Sequence, residues 1–175
     1  MKKRIAKLRD AREVMLRLLV PDDKEQLLSM VTNLSADALV WSNPPYDEEK
    51  INRWMSGTKS GLSIVAIFEN RIVGISAIHQ FTRPRERGVG DMMIYIHQDF
   101  HGVGLGTVMT ENLLFLAKNK GLHRVGLEVV EDNEAAVRLY KRFGFEIEGK
   151  KRDAYYGADG KYHNTLVMGV LISKN

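Results

Sequence analysis

The chain has 175 residues, 44% of them apolar and 27% charged, with a formal net charge of +4 and no cysteine. That length suits one domain, here taken as 1–175, with a substantial core, and without cysteine there are no disulfides, thiolate nucleophiles or Cys-ligated zinc. No apolar stretch nears the roughly 20 residues of a membrane-spanning helix, and the basic start Met1-Lys2-Lys3-Arg4 leads into no apolar signal core, so a cytoplasmic protein is expected.

Residues 1–12 read as a basic N-terminal extension, in which Lys2, Lys3, Arg4, Lys7, Arg9 and Arg12 cluster. Such runs are usually solvated faces or tails. Val14 to Val20 is β-rich and is stopped by Pro21. Asp22 and Asp23 then open a predicted helix through about Leu34, with Leu27, Leu28, Val31 and Leu34 on one face. Trp41 to Tyr46 contains Pro44-Pro45 and must be a loop, and a short helix follows from about Asp47 to Met55. Leu62–Phe68 and Arg71–Phe81 form a hairpin around Glu69-Asn70. A second basic group, Arg83, Arg85 and Arg87, falls in the Pro-containing loop that comes next.

The next strand runs from about Val89 to His97, and an amphipathic helix occupies Leu105 to Lys120, stopped at Gly121. His123–Val130 is a further strand, and Asn133 is placed to cap a helix through Phe143 that Gly144 ends. Phe145 to about Ala154 and Lys161–Ile172 close the chain as two strands around Gly157-Ala158-Asp159-Gly160. The order β-α-α-β-β-β-α-β-α-β-β implies an α/β (mixed α+β) fold. Its central twisted mixed sheet has about seven strands, with helices on both faces.

Between strand and long helix lies His101-Gly102-Val103-Gly104-Leu105-Gly106-Thr107. Three glycines there leave little side chain over a helix N-terminus, whose unpaired N–H groups and positive dipole can hold an anion such as a phosphate. The glycines alternate as Gly-x-Gly-x-Gly, which is neither the Gly-x-Gly-x-x-Gly of a dinucleotide site nor the Gly-Lys-Ser/Thr of a P-loop. His97, His101, His123 and His163 show no metal-ligand spacing, and no metal is expected.

This loop, together with Asn133, Ala136, Leu139-Tyr140 and Gly144-Phe145 at their spacing, closely resembles the GNAT N-acetyltransferase superfamily. The likeness extends over roughly residues 14 to 172. Glu128 and the Tyr-rich closing hairpin make the chain look like ribosomal-protein alanine acetyltransferases and related small-amine acetyltransferases. One position departs: His101 stands where the family usually has Arg or Gln.

The resemblance implies acetyl-coenzyme A as donor, with its pyrophosphate on the backbone from His101 and Gly102 through Val103, Gly104, Leu105 and Gly106 to Thr107. It places the thioester beside Ile94, Tyr95 and Ile96, where amides freed by splaying strands would polarise the acetyl carbonyl. Asn133, Ala136 and Tyr140 would adjoin the donor, and Tyr140 would protonate the departing thiolate. An amine nucleophile is mostly protonated at neutral pH, a lysine having a pKa of about 10.4 and an α-amine about 8, so a base is needed. Glu128 is the first candidate and Asp91 the second. One wall of the acceptor site would come from the loop between the first two helices, and Tyr155, Tyr156 and Tyr162 could form the opposite one; Trp41, Tyr46 and Trp54 read as core or loop packing.

The expected activity is direct acetyl transfer to a primary amine, either a protein or peptide N-terminus, towards which the reading leans, or a small amine such as a polyamine or amino acid. A non-catalytic acyl-coenzyme A sensor and a ribosome- or nucleic-acid-associated module are the rivals. Nucleic acid is disfavoured because aromatic and basic residues are not interleaved. No membrane partner is expected, and a homodimer stays open.

Overall fold

A computed structural model of the protein describes residues 3–56 and 61–172. Its eight strands are β1 (Arg4–Lys7), β2 (Glu13–Leu18), β3 (Ser63–Phe68), β4 (Arg71–Gln80), β5 (Val89–Ile96), β6 (Arg124–Val130), β7 (Glu146–Tyr156) and β8 (Tyr162–Leu171). They form one sheet in the order β1-β2-β3-β4-β5-β6-β8-β7. Every neighbouring pair is antiparallel except β5 with β6. The helices are α1 (Lys24–Thr32), α2 (Ala36–Leu39), α3 (Glu48–Ser56), α4 (Leu105–Asn119) and α5 (Glu134–Arg142).

The mixed sheet with helices on both faces matches the sequence pattern, but there are eight strands rather than seven. The additional one is β1, inside the segment read as a basic extension, where Arg4 to Lys7 pair with Leu16 to Glu13. It shows little apolar pattern because it is a short edge strand: Ile5 is 60% exposed, and only Ala6 packs against the core. Leu8, just past it, is buried and anchors the hairpin.

The helix expected over residues 22–34 is broken into pieces. Pro21–Asp23 is a single 3-10 turn, because the Asp23 carboxylate turns back to accept from Val20 N–H at 2.9 Å and from both Arg17 Nη atoms at 2.6 Å. α1 ends at Thr32, and Ser35, whose hydroxyl accepts from Ala38 N–H, caps the unforeseen α2.

Two cores sandwich the sheet. On one face α4 sets Met109, Leu113 and Ala117 against Leu16, Ile64, Val125 and Met168. On the other, Leu27 and Val31 of α1 and Ile51 of α3 cover Val65 and Ile75. Each fully buried Leu or Met contributes about 1.5–3 kcal/mol relative to exposure. Among the described residues, no helix is long and apolar enough to cross a membrane.

The Asp23 side chain is nearly inaccessible. Burial alone would raise its pKa, but the hydrogen bonds from Arg17 and Val20 outweigh that and hold it below the ordinary value of 3.8. Its stabilisation is therefore present above the unfolded pKa and is lost as pH falls through the lower folded one. Asp23→Ala is expected to lower the free energy of urea unfolding at pH 7 by about 2 kcal/mol, and by progressively less in acid.

Candidate active site

The site begins where two strands part. β5 and β6 pair only at Val89–Arg124, Gly90–Val125 and Asp91–Gly126. Beyond that point each keeps its outer neighbour: β5 stays on β4 as far as Ile96, and β6 stays on β8 as far as Val130. His97 N–H donates to the Val73 carbonyl at 2.9 Å and Phe81 N–H to that of Val89 at 3.0 Å. Since antiparallel pairs alternate, the odd-numbered residues of β5 spend their backbone groups on β4. Ile94 and Ile96 therefore turn theirs into the gap. The Ile96 carbonyl there receives the His101 ring, with Nε2 at 2.9 Å.

The two candidate bases sit at different depths in this wedge. Asp91 is at its closed end, with Oδ1 only 2.7 Å from where a Gly126 Cβ would stand. Glu128 lies on β6 beyond the last β5 pair, in the open part. Its Oε1 accepts from Thr165 Oγ1 at 2.6 Å and its Oε2 pairs with Lys151. Burial alone would raise the Glu128 pKa, but those two hydrogen bonds and the Lys151 charge hold it below the usual glutamate value.

Past β5 the chain makes a 3-10 turn, Gln98–Phe100, and enters the glycine loop. Gly102 and Gly104 have φ of +73° and +95°, a left-handed conformation that residues with a Cβ resist. These bends aim α4 so that its first-turn N–H groups, at Leu105, Gly106 and Thr107, have no backbone acceptor among the described residues; the first such bond is Val108 to Gly104. No acidic residue lies in that turn. Gly106 is needed for space: a Cβ there would stand 3.2 Å from Leu139 and 3.4 Å from Ile96. The Val103 carbonyl accepts from Arg9 N–H at 3.0 Å.

α5 closes the far side. Asn133 Oδ1 accepts from Ala136 N–H at 3.2 Å, capping the helix, and Tyr140 stands one helix face on, 7% exposed. Its hydroxyl has no protein hydrogen-bond partner among the described residues, and burial pushes its pKa up to about 12. A cavity of about 670 Å³ joins these parts. It is lined by Ile94, Tyr95 and Ile96 from β5, by His101, Gly102 and Gly104 through Thr107, and by Asn133, Ala136 and Tyr140. Val103, Asp91 and Glu128 do not line it.

A family model described as the acetyltransferase (GNAT) family matches residues 28–145. The chain belongs to this family. It is 28% identical over 116 residues to an L-methionine sulfoximine/L-methionine sulfone acetyltransferase of Pseudomonas paraeruginosa, covering 63% of this chain and 67% of that protein. It is 30% identical over 106 residues to an L-amino acid N-acetyltransferase of Escherichia coli, covering 60% and 65%. The matches thus span about two thirds of these relatives. The ribosomal-protein-S18-alanine N-acetyltransferase of Escherichia coli has the same fold, with a TM-score of 0.74 over 93% of this chain and 96% of that one, at 19% identity.

In this GNAT acetyltransferase the sheet face bearing Glu128 also bears a roof. Tyr155 donates its hydroxyl to the carbonyls of Val40 at 3.0 Å and Ser42 at 2.7 Å. Trp41 lines the cavity and meets His163 edge-on at 5.3 Å. Hydrogen bonds to Asp159 and Asp132, at 3.0 and 2.6 Å, raise the His163 pKa. At the other end Gln98 spans to Ser35 N–H and the Asn33 carbonyl, at 3.3 Å each. Tyr46, Trp54 and Tyr95 pack on one another beneath, and burial, then Tyr46, raises the Tyr95 pKa. Tyr156 and Tyr162 meet edge-on outside the cavity, both largely exposed.

Arg9, Asp37 and Arg142 also line the cavity, and sequence reasoning did not find them. Nothing in their local pattern marks them, since they come from a hairpin turn, a four-residue helix and the last turn of α5. Loss of the Tyr155 anchor isolates the roof: Tyr155→Phe is expected to speed amide hydrogen exchange in residues 38–43 about fivefold or more, as for one or two lost hydrogen bonds.

Proposed function

We propose that the protein transfers the acetyl group of acetyl-coenzyme A directly to the α-amine of a free amino acid or an analogue of similar size. The observation that carries the choice of acceptor is the pinned roof. Residues 33–42 are tied to the turn after β5 by Gln98 and to β7 by Tyr155, which encloses the acceptor side of the gap and opposes entry of an extended peptide. The amino-acid acetyltransferases among the relatives support this reading, and it moves the preference away from the peptide N-terminus.

The chain offers what acetyl-coenzyme A requires. The free N–H groups of Leu105, Gly106 and Thr107 and the positive end of α4 suit a diphosphate. In the gap, the N–H groups of Ile94 and Ile96 are available to pantetheine and to the thioester oxygen, where a fixed donor stabilises developing negative charge. Bound there, the co-substrate supplies an activated acetyl group.

Tyr140 holds the proton that a leaving thiolate needs. With its pKa raised to about 12 it stays protonated throughout the working range, and its hydroxyl is not committed to another protein group. Glu128 takes the opposite role on the other sheet face. It is ionised, lies in the open part of β6, and accepts the amine proton through water rather than by contact, since it stands outside the cavity lining. Asp91, at the closed end, is too deep in the wedge for that part.

The deciding experiment is an acetylation panel read by released thiol. Free amino acids, including methionine sulfoximine, are expected to be acetylated; modification of peptides with free N-termini in preference to amino acids would overturn the acceptor assignment. Tyr140→Phe is expected to lower kcat by about 100-fold while leaving KM for acetyl-coenzyme A within about twofold; unchanged kcat would remove Tyr140 as the acid. Glu128→Gln is expected to cost about tenfold in kcat/KM for the amine, most at low pH where the amine is most protonated. A pH profile parallel to the parent's would assign the proton to water alone.

A further inference from the structure

The turn between β1 and β2 lies outside the residues that the family model matches, yet it reaches the cavity. Arg9 N–H clips it to the glycine loop through the Val103 carbonyl. The Arg9 side chain then crosses Gly104, with Cγ, Nε and Cδ at 3.6, 3.7 and 3.9 Å from the point where a Cβ on that glycine would stand. Arg9 lines the cavity, and among the described residues no carboxylate comes within 4.0 Å of it.

This placement is electrostatically unfavourable by itself. A guanidinium beside the unpaired N–H groups of a helix N-terminus faces charge of its own sign, and α4 has no acidic first-turn residue to offset it. Two neighbouring arginines are committed elsewhere; Arg142 also lines the cavity, but from the last turn of α5, whereas Arg9 lies against the glycine loop itself. Arg12 pairs with Asp10 at 2.6 Å, donates to the Asp99 carbonyl at 2.6 Å and lies 3.9 Å from the Phe100 ring centroid. Arg138 pairs with Glu134 at 2.7 Å. His101, at the position where the family loop usually has Arg or Gln, gives its Nε2 to the Ile96 carbonyl. An anion between Arg9 and the α4 terminus would turn the repulsion into two attractions.

We propose that Arg9 is the cation that binds the diphosphate of the acyl donor, in place of the side chain that His101 turns towards the open edge of β5. The inference rests on the acetyl-coenzyme A reading above. Arg suits the task because its planar fork can give two charge-assisted hydrogen bonds to one phosphate group. The β1–β2 hairpin is thereby part of the donor site.

The test compares wild type, Arg9→Ala and Arg9→Lys by calorimetric titration with coenzyme A and with dephospho-coenzyme A, which keeps the diphosphate and lacks the 3′-phosphate. Turnover with S-acetylpantetheine, which lacks both, is measured alongside. Arg9→Ala is expected to weaken both coenzymes equally, by about tenfold or more as for a lost charged hydrogen bond. Its kcat/KM with S-acetylpantetheine should stay within about twofold of wild type, and Arg9→Lys should recover part of the affinity. Unchanged coenzyme A affinity in Arg9→Ala overturns the proposal. Weakening confined to coenzyme A overturns the diphosphate assignment in favour of the 3′-phosphate. An equal loss with S-acetylpantetheine overturns it in favour of a purely structural hairpin. Failure of the wild type itself to bind coenzyme A would instead sink the donor reading on which this rests.

Discussion

Everything in the site depends on β5 and β6 parting while neither loses its outer partner. A strand edge that frays in solution would move; this one cannot, because β4 holds β5 to Ile96 and β8 holds β6 to Val130. The gap is therefore a fixed wedge with unpaired backbone groups at set positions. Such groups are costly when buried and unsatisfied, and the chain satisfies one of them itself by laying His101 on the Ile96 carbonyl. The donors that remain are already oriented, so little reorganisation is required when charge develops beside them.

The wedge also connects the two faces of the sheet and divides the chemistry between them. The side chains of Ile94 and Ile96 belong to the α4 side, with the glycine loop and Tyr140, whereas Tyr95 packs with Tyr46 and Trp54 on the other. Glu128, Lys151, Thr165 and the roofed loop share that second face. The proposed acid and base thus lie on opposite faces of the sheet. Burial raises the Tyr140 pKa and favours its protonated form, while Lys151 and Thr165 lower that of Glu128 and favour its ionised form. Two groups whose pKa values are driven apart in this way suit separate tasks, one as proton source and the other as proton sink.

Much of this was legible in the sequence because it is local. Gly102 and Gly104 are needed for a positive φ, Asn133 for a cap and Gly144 for a helix stop, and each can be read from its neighbours. The splay could be anticipated only through family likeness, since pairing length is a property of two strands far apart in the chain. β1 was missed for a physical reason: a four-residue edge strand whose inward face is Arg4 and the small Ala6 has too little apolar alternation to display. The break of the first helix was missed because the Asp23 carboxylate, which suits a helix start, is drawn instead to Arg17 and Val20. The roof anchors, Tyr155 on Val40 and Ser42, join residues more than a hundred positions apart, and no periodicity encodes them.

The basic start of the chain shows how a charge run changes meaning with place. Six cations in the first twelve residues look interchangeable, yet the hairpin separates them. Arg4 reaches Asn112 on α4, Arg12 is locked over Phe100, and Arg9 alone of these three is left without an acceptor or an aromatic face among the described residues. The hairpin that places Arg9 is held by a short edge ladder, by the burial of Leu8 and by one bond to the glycine loop at Val103. An anion bridging Arg9 to α4 would therefore tighten the hairpin onto the loop as it binds, because whatever favours the docked turn is favoured by it in return. Donor affinity and the seating of β1 become two readings of one equilibrium, and an element at the sheet's outermost edge acquires a hold on chemistry performed at its centre.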